Sequence, residues 1–241
     1  MIPLLRYQDV LWALSARVGG VEMPFLLDTA AGVTTLDRAF AERLGVGTRG
    51  TFRGERMTGE VVTLDLGHDV EITLGDRRIA HETVGVFDLA ALLPPDWPPL
   101  GGAIGLPSFA SVLATLDLAG ACLVLDAEPA PGARELHVRA QRDGPAVDLF
   151  AEVGGPTRPL WLEIDTGNTG AVILSPDAGS LLGVTAASGE VALDVVGLGS
   201  IPTPVVVKPI RYDGNLGAPF FATRPLTIDL ANERAWLEDR A

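Results

Sequence analysis

Residues 10–46 read VLWALSARVGGVEMPFLLDTAAGVTTLDRAFAERLGV, and residues 147–184 read VDLFAEVGGPTRPLWLEIDTGNTGAVILSPDAGSLLGV. Both contain, in order, a β-patterned run, Val-Gly-Gly, a second apolar run closing on Asp-Thr, a third apolar run, and a segment ending in Leu-Gly-Val. The match continues downstream. Thr58-Gly59-Glu60-Val61 answers to Ser188-Gly189-Glu190-Val191, and Gly102-Ala103-Ile104-Gly105 to Gly214-Asn215-Leu216-Gly217. Thr115-Leu116-Asp117-Leu118 then answers to Thr227-Ile228-Asp229-Leu230. So many blocks in one order mark an internal duplication. Between the copies, residues 127–134 carry Pro129 and Pro131 and show no periodicity, as a connecting segment does. The expected organisation is an N-terminal lobe over 1–127, a linker over 128–136 and a C-terminal lobe over 137–241.

The 28 glycines and 18 prolines show no collagen-like period and read as turns between short strands, which points to an all-β chain. Gly19-Gly20 and Gly154-Gly155 stand between strand-like runs, so a primed two-residue turn is expected at each. Two short helices are expected. One is capped by Asp37 and runs over 38–44 to Gly45; the other starts at Ser175-Pro176 and ends at Gly183. Leu92 to Pro99 reads as a stiff loop with an exposed Trp97.

A formal charge of −13 disfavours nucleic acid and anionic membrane surfaces as partners. Cys122 is the only cysteine, so no internal disulfide can form, and its apolar setting predicts a buried, inert thiol. His68, His81 and His137 lack metal-ligand spacing and read as surface or turn residues; neither metal nor other cofactor is expected. Val10 to Val18 alternates as a strand does, and Arg6, Gln8 and Asp9 interrupt its approach. A signal peptide is therefore not expected, and a cytoplasmic location is.

Asp28-Thr29-Ala30 and Asp165-Thr166-Gly167 each stand where an apolar strand gives way to a turn. Alone, either is as readily an Asx turn as a catalytic motif. Equivalent positions in two copies meet if the lobes pack about a two-fold axis. Two carboxyls so placed share a proton and can activate water for general acid–base hydrolysis of an amide.

On these paired motifs, and on Ala103-Ile104-Gly105 and Asn215-Leu216-Gly217, the chain resembles a tandem, single-chain member of the retropepsin/pepsin-like aspartic peptidase superfamily over nearly its whole length. The resemblance implies a bilobal, pepsin-like acid protease fold built from two retropepsin-like repeats with short helices. It implies Asp28 and Asp165 as the catalytic pair, supported by Thr29, Thr166, Ala30 and Gly167. The hydrophobic-Gly motifs, Ile104-Gly105 and Leu216-Gly217, would thread behind the Asp turns, with short helices following over 107–112 and 219–222. A flap over the cleft is expected within Thr51–Gly59, with Phe52, Arg53 and Gly54 as its candidates; it lacks the tyrosine of pepsin-type flaps.

Two departures stand out. Ala30 replaces the usual Gly, which would cost about 1–2 kcal/mol if the position needs a positive φ. Asn215 stands where an apolar residue is usual. The implied activity is that of an aspartic endopeptidase acting on peptide or unfolded protein as a pseudo-dimeric monomer. The alternative is a peptide-binding module of the same fold with little or no turnover. Gly197-Leu198-Gly199-Ser200 leads into Ile-Pro rather than a helix, which leaves nucleotide binding without support.

Overall fold

The computed structural model describes residues 1–238. The first half of the chain forms β1 (Ile2–Tyr7), β2 (Leu11–Val18), β3 (Val21–Leu27), β4 (Thr35–Asp37), α1 (Arg38–Leu44), β5 (Thr48–Glu55), β6 (Val61–Leu74), β7 (Arg77–Phe87), β8 (Gly102–Ile104), β9 (Ala114–Asp117) and β10 (Cys122–Leu125). The second forms β11 (Arg134–Leu136), β12 (Val138–Asp143), β13 (Ala146–Val153), β14 (Leu160–Asp165), β15 (Val172–Leu174), α2 (Pro176–Leu181), β16 (Ser188–Val195), β17 (Gly199–Val207), β18 (Gly214–Gly217), β19 (Leu226–Asp229) and β20 (Arg234–Leu237).

The two halves have the same wiring. In the first, strands run β2-β3-β8-β4-β7-β6; in the second they run β13-β14-β18-β15-β17-β16. The parallel pairs recur at matching places, β3 with β8 and β4 with β7, β14 with β18 and β15 with β17. A further pairing closes each lobe on itself, β2 with β6 and β13 with β16. The result is a mostly β, two-lobed, pepsin-like fold. Alternation along these strands turns Leu14, Phe25, Leu27 and Ile104 inward in one lobe, and Leu149, Leu162, Ile164 and Leu216 in the other, all essentially without exposure.

Six consecutive strands, β11-β20-β19-β9-β10-β1, join the lobes. At the centre β9 pairs antiparallel with β19, with Thr115 opposite Thr227, Leu116 opposite Leu226 and Ala114 opposite Ile228. Because Thr115 and Thr227 are equivalent in the two copies, this register is self-complementary, as across the axis of a symmetric dimer. The hydroxyls of Thr115 and Thr227 meet there at 2.9 Å.

Several expectations need correcting. Residues 134–136, read as the end of a linker, form β11 and pair with β20. In the first copy β1 alone pairs with both β10 and β2, whereas the second copy divides that task between β11 and β12. The Gly-Gly pairs are not equivalent. Gly19 and Gly20 form the expected turn, with φ of 56° and 81°. Gly154 opens a longer loop between β13 and β14, and neither Gly154 nor Gly155 takes a positive φ. Gly155 is needed for space instead, since a Cβ there would lie 2.4 Å from the Arg158 carbonyl oxygen. Ala16 pairs with Met23 and Val153 with Leu160, each partner five residues before its Asp. The second hairpin therefore turns two residues earlier than the Val-Gly-Gly alignment implies.

Both helices form at the expected sites. Asp37 accepts the Ala39 and Phe40 N–H groups and Gly45 closes α1 in the left-handed region at φ 69°. Ser175 caps α2. The helices after the glycine motifs are short 3-10 turns, Leu106–Phe109 and Ala218–Phe221, the first ending earlier than expected. His81 is not a surface residue. It lies inside β7 with 5% exposure, and burial lowers its pKa to about 4. Trp97 is half-buried, packed edge-on against Tyr7 with centroids 5.4 Å apart.

Candidate active site

Each Asp-Thr motif sits where a central strand breaks from its sheet over the parallel strand beneath. The Asp28 N–H still donates to the Ile104 carbonyl at 3.1 Å, and Asp165 pairs in register with Gly217. The glycines of the later motifs make this crossing possible. A Cβ on Gly105 would lie 2.0 Å from the Ala31 carbonyl oxygen, and one on Gly217 would lie 2.7 Å from the Asn168 carbonyl oxygen. The turns are also Asx turns. Asp28 Oδ1 accepts the Ala30 N–H at 3.0 Å; Asp165 Oδ1 accepts those of Gly167 and Asn168 at 2.7 and 2.9 Å.

Thr29 and Thr166 lock the turns together. Each Oγ1 accepts the other threonine's N–H, at 3.1 Å from Thr29 and 3.0 Å from Thr166. Each hydroxyl donates to a carbonyl of the opposite lobe, Thr29 to Ile164 at 2.7 Å and Thr166 to Leu27 at 3.1 Å. Both threonines are buried, so these reciprocal bonds cannot be exchanged for bonds to water without opening the interface.

Above this grip the Asp28 and Asp165 carboxyls come together at Gly167, whose N–H donates to Asp165 Oδ1 and whose Cα lies against the Asp28 carboxyl, close enough for each acid to bear on the other's titration. Burial, then the charge of Asp165, raises Asp28 to about 7; burial also raises Asp165, against opposing hydrogen bonds led by Asn215. Gly167 packs directly on the Asp28 carboxyl: a Cβ would stand 2.7 Å from Cγ and 2.7 and 2.8 Å from the two oxygens. Neither Ala30 nor Gly167 has a positive φ, so the strain anticipated for Ala30 does not arise. The second motif needs glycine for room, not for backbone freedom.

Beyond the turns the lobes differ. Leu26 and Glu163 both lie two residues before their Asp, and Ala103 and Asn215 occupy matching places on β8 and β18. In the first lobe this face is apolar, with Leu26 and Ala103 clustered beside Tyr7, Ala13 and Leu100. In the second, Asn215 is fully buried and donates to Asp165 Oδ2 at 2.6 Å, with a longer contact of 3.4 Å to Glu163 Oε2. Glu163 is 3% exposed, and burial followed by the charges of Asp165, Asp148 and Asp28 raises its pKa well above the carboxylate range. Burial also lifts Asp148 to about 6 and Tyr212 to about 12. Glu163 carries no signal of its own in the sequence: Trp161 to Ile164 has the pattern of a strand, and the charge on its inward face gains meaning only with β18 beside it.

The hairpin of β5 and β6 reaches across to the second lobe. Phe52, Arg53 and Gly54 lie on its rising strand; the tip is Arg56–Glu60, closed by Gly59 N–H to the Arg56 carbonyl at 2.7 Å. Arg211 N–H donates to the Met57 carbonyl at 3.0 Å, and the Arg211 guanidinium pairs with Glu55. Phe52 borders Gly144 on the opposite lobe. Two cavities flank the Arg211–Asp213 segment. One of about 340 Å³ includes Phe150, Trp161 and Tyr212; another of about 460 Å³ includes Thr58, Ser175 and Ile210.

Residues 14–107, which hold the first Asp-Thr turn and the hairpin, match the aspartyl protease family model. The whole chain superposes on the crystal structure of basic 7S globulin from soybean with a TM-score of 0.62, covering 100% of this chain and 94% of that one. Identity is 12%, so this likeness speaks for the fold alone. A search of curated proteins finds no match.

Proposed function

We propose, from the pepsin-like fold and the aspartyl protease match of its first lobe, that this protein is an aspartic endopeptidase that binds an extended peptide between its lobes, beneath the β5–β6 hairpin. The observation that carries this reading is the meeting of the Asp28 and Asp165 turns, interlocked through Thr29 and Thr166, with each carboxyl bearing on the other's titration. A pair holding one proton has both groups that amide hydrolysis needs. The ionised carboxylate takes a proton from a water as its oxygen bonds to the scissile carbonyl carbon. The protonated carboxyl gives its proton to the carbonyl oxygen. Collapse of the tetrahedral intermediate breaks the C–N bond: the amine leaves with the proton taken from water, while a hydroxyl of the intermediate returns its proton to the other carboxylate as the acid product forms, so the pair again holds one proton. The threonine grip supports this chemistry by fixing the carboxyls before substrate arrives.

A second reading, a cleft that holds peptides without cutting them, is favoured by the fastening of the hairpin tip to Arg211. The experiment is incubation with an unfolded protein across about pH 3 to 8, the span over which such a pair passes through its singly protonated form. Fragments that disappear in Asp28→Asn and Asp165→Asn support the peptidase. Saturable peptide binding with no cleavage at any pH supports the binding module.

A further inference from the structure

The two carboxyls of the pair have unequal surroundings. Asp165 accepts three N–H donors within 3 Å, from Gly167, Asn168 and Asn215. Asp28 has the Ala30 N–H, with that of Ala31 also bearing on it. The excess donor is Asn215, whose counterpart Ala103 has no polar side-chain atom.

The amide's orientation follows from the backbone. Gly170 N–H can only donate, so the Asn168 atom that meets it at 2.9 Å is the oxygen Oδ1. Asn168 Nδ2 therefore points to the Ala171 carbonyl and to the Asn215 side chain, at 3.3 and 2.8 Å. Asn215 must present its oxygen to Asn168 and its NH2 to Asp165 and Glu163. A flipped amide would set NH2 against the NH2 of Asn168 and turn an oxygen toward Asp165 Oδ2.

We propose that Asn215, held by Asn168, is a positioning residue that keeps the negative charge on Asp165 and so places the shared proton on Asp28. A donated N–H favours the ionised acceptor, and charge-assisted bonds of this length are among the stronger ones. In the hydrolysis proposed above, on which the catalytic meaning of this inference rests, Asp165 takes the water proton and Asp28 protonates the carbonyl oxygen. Glu163 makes the arrangement exclusive. It sits behind the same NH2 at 3.4 Å against 2.6 Å for Asp165, and its burial favours the uncharged carboxyl, the weaker competitor for the donor. The other titratable groups bearing on this network are Asp148 on β13 and Tyr212 before β18, with Asp143 beside the first and Arg211 beside the second. The first lobe faces the network with Asp28.

The test is a carbon-13 titration of the aspartate carboxyls in the intact protein, assigned with Asp28→Asn and Asp165→Asn. In the wild type, where the pair holds one proton, Asp165 should give the ionised shift and Asp28 the protonated one. Asn215→Leu, which restores the usual apolar residue, should raise the pair's lower transition by about one pH unit and draw the two shifts together. Asn215→Ser, which keeps a donor, should restore part of the difference. If the leucine variant does not fold, Asn215→Ala, the residue found at the matching place in the first lobe, carries the measurement. An unchanged titration in the apolar variant, or a wild-type proton on Asp165, overturns the proposal. Carboxyl shifts that respond in a protein that cuts no peptide leave the positioning role standing and remove the peptidase. Cleavage whose acid limb stays fixed in the Asn215 variants does the reverse.

Discussion

Gly167→Ala adds one methyl group at the most crowded point of the pair. The new Cβ would lie 2.7 Å from Asp28 Cγ and 2.7 and 2.8 Å from its oxygens. Ordinary contact begins near 3.4 Å, so relief needs a displacement of about 0.7 Å, 3.4 less 2.7. Asp28 cannot swing clear at no cost, because Oδ1 is held by the Ala30 N–H and the other side faces Asp165. Backbone strain plays no part, since Gly167 lacks a positive φ. Overpacking of this kind costs about 1–3 kcal/mol of stability. A misplacement approaching 1 Å in a reacting group costs roughly 100-fold in rate, or about 2.7 kcal/mol of transition-state stabilisation. The assay is kcat/KM on an unfolded protein substrate, with circular dichroism melting to show that the variant folds. A folded Gly167→Ala that keeps wild-type kcat/KM would refute the placement of Asp28 against this glycine.

Asp28→Asn and Asp165→Asn should each remove most cleavage, and the double variant should be little worse than either, because groups that act as a unit are non-additive; additive losses in a folded protein would count against a shared mechanism. Stability should fall as pH rises from the unfolded carboxylate value toward about 7, since in that window folded Asp28 holds a proton that the unfolded chain has released. Asp28→Asn should flatten that slope in pH-dependent melting. His81 acts in the opposite sense: its folded pKa of about 4 lies below the unfolded value of about 6.5, so its contribution is present above that value and lost as pH falls toward 4. His81→Gln should improve resistance to acid relative to neutral pH, and a uniform loss at every pH would contradict the burial argument. Thr29→Val or Thr166→Val keeps the shape but strips a buried N–H and a carbonyl of their partners, and should cost about 2–4 kcal/mol in denaturant unfolding; a cost below about 1 kcal/mol would mean the grip is not a main joint between the lobes.

The repeat was readable because it is written in residue types with few substitutes. Asp-Thr at a strand end and glycine at a backbone crossing leave a pattern that survives in both copies, and the matching strand order follows from it. The cap residues Asp37 and Ser175 were readable for the same reason, since their side chains act locally. What escaped was set by neighbours distant in sequence. Glu163 looks like a surface residue in a strand until the parallel β18 brings Asn215 beside it. Asn215 itself looked like a blemish in an apolar motif, because its partners, Asp165 and Asn168, lie on another segment. The Gly-Gly pairs misled because glycine serves two needs that a sequence does not separate: a left-handed φ at Gly19 and Gly20, and plain space at Gly155. His81 looks like a surface residue beside Glu82, but the alternation along β7 places it with Ile79 on the buried face.

The sheet that passes from one lobe to the other bears on how the cleft can move. Its hydrogen-bond ladder runs without a break from β11 to β1, through the Thr115–Thr227 axis. Sliding one half past the other would break paired backbone groups along that seam, whereas bending across it would not. The register of the two halves is thus built in, like the gauge of a railway track. The freedom left for admitting and releasing a guest lies overhead, where the Arg56–Glu60 tip rests on Arg211 by contacts close to solvent. If the proposed function holds, selectivity by size would act at this hairpin, as a threshold on entry.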